Sequence, residues 1–419
     1  MRRHGRVLIA LVCLALLGAA CGQEATRLKG PLAGTALTFS ISLAEEENAA
    51  VRELLGRFQQ RTGATVELVA VTAPLLPEKL KVELRAGRRP TIHLFAQDNF
   101  AQRSLVDNGL VEDLSDTKIP DGLLPVVIPE TFEGKQYFLP FRPNVRVAYV
   151  NRERFDQAKA SAPKTVEELR TVAQKLEATA GTGKVTLSLA QGDPAAVTIS
   201  EWILSFGGNP LLLNDEGSEA AFEFLQRMWR EGLLARESLQ GQYDTEVDNL
   251  RGETAWLAQN WTFTSGVLDG EGLLDRFQVY EGWSGPARAA HVVGGDVLGI
   301  PKGVTGKQKE GALSLANFLM SRKAQEFLAE KNSWPSIYSD AYDRIPSDRR
   351  STLQAASKAL ESGWLRPGVP YWPEVAEAMN EAIRRILQDG EPVKPVLDNL
   401  HAKIAAEAKM RGAEYPPAS

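Results

Sequence analysis

The chain has 419 residues, 43% hydrophobic and 24% charged, with a net charge of −5. That length supports two domains with buried cores, and the mild acidity excludes a general nucleic-acid binder, which needs a positive surface for phosphates. Cys13 and Cys21 are the only cysteines, which excludes a fold built on a disulfide framework.

Arg2, Arg3 and Arg6 precede an apolar run from Val7 to Leu17, and Gly18-Ala19-Ala20 supplies small residues before Cys21. This is the layout of a secretory signal over residues 1–20. The run is shorter than the roughly 20 apolar residues of a comfortable membrane span. The site resembles a bacterial lipobox, with Gly18 where Leu is usual and Leu17 one place earlier. Cys21 is therefore expected to carry a lipid, the alternative being an ordinary signal peptide with an incidental cysteine, and residues 21–34 read as a tether whose polar stretch Gly22 to Gly30 follows at once. The expected location is extracytoplasmic, lipid-anchored to the cell membrane on its periplasmic or outer face. Cleavage would remove three arginines and take the charge from −5 to −8. Cys13 would leave with the signal, so the mature chain could form no internal disulfide.

Leu37, Phe39, Ile41 and Leu43 alternate with polar residues, the period of a strand. A helix follows, with Val51, Leu54, Leu55 and Phe58 at helical spacing and Glu45 to Glu47 near its positive end. Thr62-Gly63 stops it. Thr65 to Val71 reads as a strand, Glu78 to Ala86 as a helix and Thr91 to Ala96 as a strand, an alternation that predicts a mostly parallel sheet covered by helices. A second α/β unit opens after Phe138 to Asn144. Thr165 with Glu168 forms a capping box before Val166, Leu169, Val172, Ala173 and Leu176. Val185 to Ala190 then reads as a strand, Thr198 to Phe206 and Ala220 to Trp229 as helices, and Thr254 to Ala258 as a short strand. Val292-Val293 and Val297 to Ile300 read as strand around Gly294-Gly295, and almost everything after Thr305 as helix.

These segments resemble the family 1 extracellular solute-binding proteins of ABC importers, the group of maltose- and trehalose/maltose-binding proteins. The landmarks run in order: Phe58 to Gly63; Ile92 to Leu114, with Gly109 to Leu114 at its end; Leu139-Pro140-Phe141 through Tyr149-Val150-Asn151; Gly252 to Trp256 with Asn260-Trp261; Gly294-Gly295 with Leu298 to Pro301; and Phe318 to Gln325. The resemblance implies an α/β, two-lobed periplasmic-binding-protein fold (type II) with a multi-segment hinge. One lobe would comprise 35–143 and 295–340, the other 144–294 and 341–419. Chain crossings are expected near Pro143 to Val145, His291 to Gly295, and Tyr338 to Ser351.

A sugar presents hydroxyls and apolar C–H faces, so its pocket needs planar hydrogen-bonding groups and an aromatic floor. The resemblance assigns the floor to Trp261, with Phe263 as second aromatic; the alternative is that Trp261 fills a core. Asn144 stands where similar proteins carry an Asp or Asn that reaches a hydroxyl, or is a turn residue beside Pro143. Gln97 and Asp98 follow a predicted strand whose C-terminal end faces the cleft, and register leaves open which of them matches the family's carboxylate. Glu46 or Glu47 would reach ligand similarly, or favour the helix dipole. Gly294 and Gly295 let backbone approach a ligand. Asp296 follows them where trehalose/maltose-binding sites have a tryptophan. Arg366 matches an arginine that forks onto ligand oxygens, and Glu246 is a further candidate.

The implied function is capture of a small mono- or disaccharide, trehalose- or maltose-like, and delivery to permease subunits by a monomeric, non-catalytic receptor. No cofactor or metal is expected: His93, His291 and His401 are scattered, HExxH and GxSxG do not occur, and Thr182-Gly183-Lys184 lacks essential parts of a P-loop. The rivals are a receptor for a non-sugar such as a polyamine or metal, and a lipoprotein glycoside hydrolase working through two carboxylates.

Overall fold

The structure, a computed structural model, describes residues 29–416 except 44, 73–74, 343–344 and 346; the side chains of 45–46 and 347–349 also lie outside the described set. Cys21 and the side chain of Glu46 are thus outside the described residues.

The strands in chain order are β1 (Ala36–Ser40), β2 (Thr65–Val69), β3 (Leu94–Asp98), β4 (Phe138–Asn144), β5 (Arg146–Asn151), β6 (Val185–Thr186), β7 (Leu257–Trp261), β8 (Phe277–Tyr280), β9 (His291–Val292), β10 (Gly294–Gly299) and β11 (Gly363–Trp364). The first lobe is built on a sheet of order β2-β1-β3-β10-β4. Its β1 runs parallel to β2 and β3, while β10, arriving from far down the chain, is antiparallel to both β3 and β4. The alternation in β1 buries Leu37 and Phe39, and the helix Glu45–Thr62 lays Val51, Leu54, Leu55 and Phe58 into the same core. Gly63 ends that helix with φ +77°, a conformation only glycine adopts without strain.

The second lobe has the sheet β6-β7-β5-β8, with β5 antiparallel to β7 and β8. Thr165 caps the helix Val166–Ala180 by accepting from the Glu168 N–H at 3.2 Å. Glu168 reaches back one residue further than a capping box requires, accepting from the Lys164 N–H at 2.7 Å.

The sheets are mixed and not mostly parallel, because β10 returns antiparallel between β3 and β4 and β5 is antiparallel to both its neighbours, and two of the expected strands also depart from the sequence pattern. The strand expected over Val185 to Ala190 stops at Thr186, because Leu187 and Leu189 donate their N–H groups to the Ser238 hydroxyl and carbonyl. The next helix then starts early, at Asp193, with Pro194 in its first turn, where a missing N–H costs nothing. The short strand expected at Thr254 to Ala258 lies instead at Leu257–Trp261, because Glu253, with φ +58°, is still in the turn that follows the preceding helix. This shift puts Trp261 at a strand end.

The chain passes between lobes from Asn144 to Arg146 and again from Val292 to Gly294. A third bridge is the helix Ser347–Leu360, whose Leu353 belongs to the first core while Ala355, Ala356, Ala359 and Leu360 pack with Val147 and Tyr149 of the second lobe. Helices Trp372–Ala382 and Val393–Met410, joined by a π turn over Ile383–Gln388, close the second core. Among the described residues no helix is long and apolar enough to cross a membrane.

Candidate ligand-binding site

The first lobe presents a row of charges. Register sets Asp98 of β3 opposite Asp296 of β10, and Asp296 opposite Arg142 of β4. Neighbouring residues on a strand point to opposite faces, so Gln97, paired with Val297 and buried, turns away from the Asp98 side. Arg142 places its Nε 3.0 Å from the Asp296 carboxylate and donates from Nη1 to Glu47 at 3.2 Å. Its guanidinium lies 4.4 Å from the ring centroid of Trp334, whose indole N–H also donates to Glu47. Burial pushes the Asp296 carboxyl upward, Arg142 opposes this and Glu47 adds to it. Asp296 is thereby held against Arg142, and the aromatic ring beside this row is Trp334, from a segment the sequence reading passed over.

Asn144, ending β4, accepts from the Val145 N–H at 3.0 Å and the Thr262 hydroxyl at 3.1 Å, tying the lobes at the crossing. Between the lobes lies a cavity of about 330 Å³. Glu47, Arg142, Asn144 and Trp334 face Thr262, Phe263 and Val267 across it. Its size falls in the range of small-molecule sites, about 300–1,000 Å³.

Trp261 sits beside this space with 7% of its surface exposed, packed with Val197 and Val292 and edge-on to Tyr243 at 5.7 Å. The outer edge of the indole lies over Gly294, where a Cβ would come within 2.9 Å of the ring. Gly295 has φ +96°, and a Cβ there would lie 2.0 Å from the Arg142 carbonyl oxygen. The glycine pair thus admits one ring and one close strand partner. Asn260 fixes Trp261 by accepting from its N–H at 2.9 Å while donating to the Tyr243 carbonyl at 2.7 Å.

On the other side of Trp261, the Tyr243 hydroxyl donates to Asp193 at 2.9 Å. Arg366 Nη1 donates to the other Asp193 oxygen at 2.5 Å, and its Nη2 lies 3.8 Å from Asp98. The Arg366 guanidinium covers Phe100 at 4.3 Å from the ring centroid. Burial raises the Asp98 carboxyl to about 7 against the pull of Arg366, and Asp296 and Asp193 add to the rise.

A buried platform supports these groups. Arg146, fully buried at the start of β5, donates to Thr198 at 2.5 Å and Gln259 at 3.1 Å and lies 3.2 Å from Glu201. Glu201 accepts from the Val292 N–H at 3.0 Å, and His291 sits between the Ser362 hydroxyl and the Glu281 carbonyl, each at 2.8 Å. Burial pushes His291 down to about 4, so its ring is neutral. The platform thereby orients β9 and, through β9–β11 pairing, the segment carrying Arg366.

Of the residues singled out in the sequence, Glu47, Asn144 and Phe263 line the cavity, Gly294, Gly295 and Asp296 lie beside Arg142 and Pro143 on the neighbouring strand pair, and Asp98 meets Arg366 next to Asp193. Trp261, by contrast, is packed with Val197 and Val292 over Gly294 and does not form the cavity floor. Glu246 is placed elsewhere: it is fully buried inside the second lobe, accepts from the Thr186 hydroxyl at 2.5 Å, and does not line the cavity. Its helix turns it inward, and burial raises its carboxyl to about 7. Asp193, Tyr243, Arg142 and Trp334 are additions. Pro194 after Gly192 was the available sign for Asp193, since it marks a helix start facing the cleft. Among the described residues no three or more His, Cys, Asp or Glu side chains are grouped to hold a metal.

Solved structures share this architecture. The cyclic alpha-maltosyl-1,6-maltose binding protein of Arthrobacter globiformis superposes with a TM-score of 0.77 at 16% identity, over 90% of this chain and 99% of that one. The sugar-binding protein MalE of Xanthomonas citri gives 0.77 at 16%, over 91% and 100%. An ABC transporter solute-binding protein of Agrobacterium radiobacter K84, in complex with ribitol, gives 0.72 at 21%, over 90% and 100%. These likenesses establish the two-lobed fold. No curated protein matches the sequence significantly. Residues 53–349 match the profile of the bacterial extracellular solute-binding proteins, and the chain belongs to that family.

Proposed function

We propose that the protein captures a small sugar or polyol between its lobes, outside the cytoplasmic membrane, and delivers it to the permease of an ABC importer. The observation that carries this reading is the interlobe cavity of about 330 Å³, where planar hydrogen-bonding groups (Glu47, Arg142, Asn144) adjoin the rings of Phe263 and Trp334. Such a combination matches the hydroxyls and C–H faces of a sugar. The sugar or polyol ligands named for the similar structures support the same class. Residues 35–143 with 295–340, and 144–294 with 341–419, would move as bodies about the crossings, the hinge mode of closure.

The reading is of a non-catalytic receptor. Glu47 and Asp296 share Arg142, and Asp98 and Asp193 share Arg366, so these four carboxylates are engaged with guanidinium groups. Cys21 would carry the lipid anchor, and the receptor would work as a monomer.

Thermal-shift screening of the purified protein against mono- and disaccharides, polyols, polyamines and metal ions tests the ligand class, since a ligand of the native state raises stability by mass action. A sugar or polyol is expected to raise the melting temperature; stabilisation by polyamines or metals alone would overturn the sugar reading. Cys21→Ser is expected to release the mature protein from membranes. Persistent membrane partitioning of that variant would refute lipidation.

A further inference from the structure

The end of the first lobe remote from the cleft is the end at which the chain enters it. Asp98 and Asn144 finish β3 and β4 at the cleft, whereas the starts of β1, β2 and β3 and the finish of β10 lie at the opposite end of the sheet. The entering segment is fastened there. Leu32 donates its N–H to the Thr62 carbonyl at 2.8 Å, and Gly30 lies so close that a Cβ would come within 2.4 Å of the same group. Two other segments share this end. The helix Leu75–Arg85 runs into the loop before β3, and Gly303, just after β10, faces Pro90 of that loop, 3.6 Å from where a Cβ would stand. The helix Gly306–Met320 then brings Gly311 against Thr35 and Leu37.

Residues 29–34, 84–91 and 301–310 expose Lys29, Arg85, Arg88, Arg89, Lys302 and Lys307, with Glu310 as their one exposed carboxylate. Nearby Glu83 is taken by Lys79 and Thr91, and Glu112 by Lys309 and the Gly303 N–H. Arg85, Arg88, Arg89 and Lys307 have no carboxylate partner among the described residues. Val82 and Leu84 stand beside the arginines 62% and 43% exposed. This end is thus positive and partly apolar on a chain whose net charge is −5.

We propose that this pole is the face the anchored protein lays on the anionic headgroups of its membrane, with the cleft held at the far end of the sheet. The inference rests on the reading of Cys21 as the lipid site. Seven residues separate Cys21 from Lys29, a reach of at most about 29 Å, so a lipid there keeps the pole close to the surface. An acidic body at an anionic surface favours the orientation that turns its cations down, each adding a screened attraction. Val82 and Leu84 would enter the headgroup boundary beside them. Lipid and basic patch act as two signals; the patch orients a tethered molecule but holds a free one only weakly and reversibly at physiological ionic strength.

The test removes the lipid. Mature Cys21→Ser protein is sedimented with phosphatidylcholine vesicles, with and without phosphatidylglycerol, at low ionic strength. Two pole variants, Arg85→Glu/Arg88→Glu/Arg89→Glu and Lys29→Glu/Lys307→Glu, are compared with Lys175→Glu/Arg236→Glu/Lys409→Glu, which reverses exposed cations of the second lobe. Circular dichroism confirms folding. Binding is expected only with phosphatidylglycerol and should disappear in about 0.5 M salt. It should weaken by about tenfold or more in the triple pole variant, measurably in the double, and by less than about threefold in the second-lobe variant. No binding to phosphatidylglycerol vesicles at low salt, or equal losses in the pole and second-lobe variants, would overturn the proposal. Membrane fractionation of Cys21→Ser at physiological ionic strength judges the anchor separately, so the two readings fail by different results.

Discussion

Replacing Gly294 with Ala tests whether the Trp261 ring is seated on the hinge backbone. The added Cβ would lie 2.9 Å from Cη2 and 3.2 Å from Cζ3 of the indole, whereas relaxed carbon contacts lie at about 3.5–4.0 Å. The ring must therefore retreat by about 0.5–1 Å, into Val197, Val292 and the edge of Tyr243. Overpacking of this kind costs about 1–3 kcal/mol. Gly295→Ala is the internal comparison. There the Cβ would lie 2.0 Å from the Arg142 carbonyl oxygen, and φ is +96°. Backbone on both sides of the β10–β4 pair would have to yield, so the loss should exceed that of Gly294→Ala. Urea unfolding followed by far-UV circular dichroism gives the order directly. Equal midpoints for the two variants, or a Gly294→Ala protein as stable as wild type, would refute the packing argument.

Arg146→Met should destabilise by about 3–5 kcal/mol, because it leaves Glu201 buried without its cation; denaturant titration would show this, and the double variant with Glu201→Leu should recover most of the loss. Glu246→Gln should remove a pH dependence. The native carboxyl is raised from 4.5 to about 7, so the native state holds its proton longer than the unfolded chain, and wild-type stability falls as pH rises from about 4.5 through 7. The variant should gain on wild type across that window, by roughly 3 kcal/mol at full ionisation, and melts at pH 5 and pH 8 would expose a constant difference as contrary evidence. Trp261→Ala should cost about 3–5 kcal/mol, as for a packed core aromatic, whereas Phe263→Ala, a half-buried ring, should melt near wild type yet weaken binding of the best sugar from the screen by about tenfold, read by calorimetric titration.

Local pattern carried much of the fold. The alternation about Leu37 and Phe39 and the helical spacing of Val51 to Phe58 are properties of single segments, and the structure shows both. The pattern failed where a distant partner intervened: Ser238 captures Leu187 and Leu189, and the expected strand stops at Thr186. The same limit governs the site. Strand alternation separates Gln97 from Asp98 only once β3 is known to extend to Asp98, and the pairing of Asp296 with Arg142 depends on β10 lying beside β4. Asp193, Tyr243 and Trp334 come from three separate segments that nothing local connects. Trp261 was legible as an aromatic of importance, but its burial on Gly294 depends on a contact between lobes.

The position of β10 has a consequence for the order of folding. β3 and β4 are neighbours in sequence, yet they are joined in the sheet only through a strand that ends at Gly299. The first lobe, although synthesised first, cannot complete its sheet until the chain has passed through most of the second. Until then two strand edges stand open, and closing them brings β10 back across about 200 residues to β3 and about 150 to β4, non-local pairings of the kind that slow folding. Any stretch that ends before Gly294 should behave as an aggregation-prone partial sheet, and the chain should commit to its compact form late, after its middle portion has already formed.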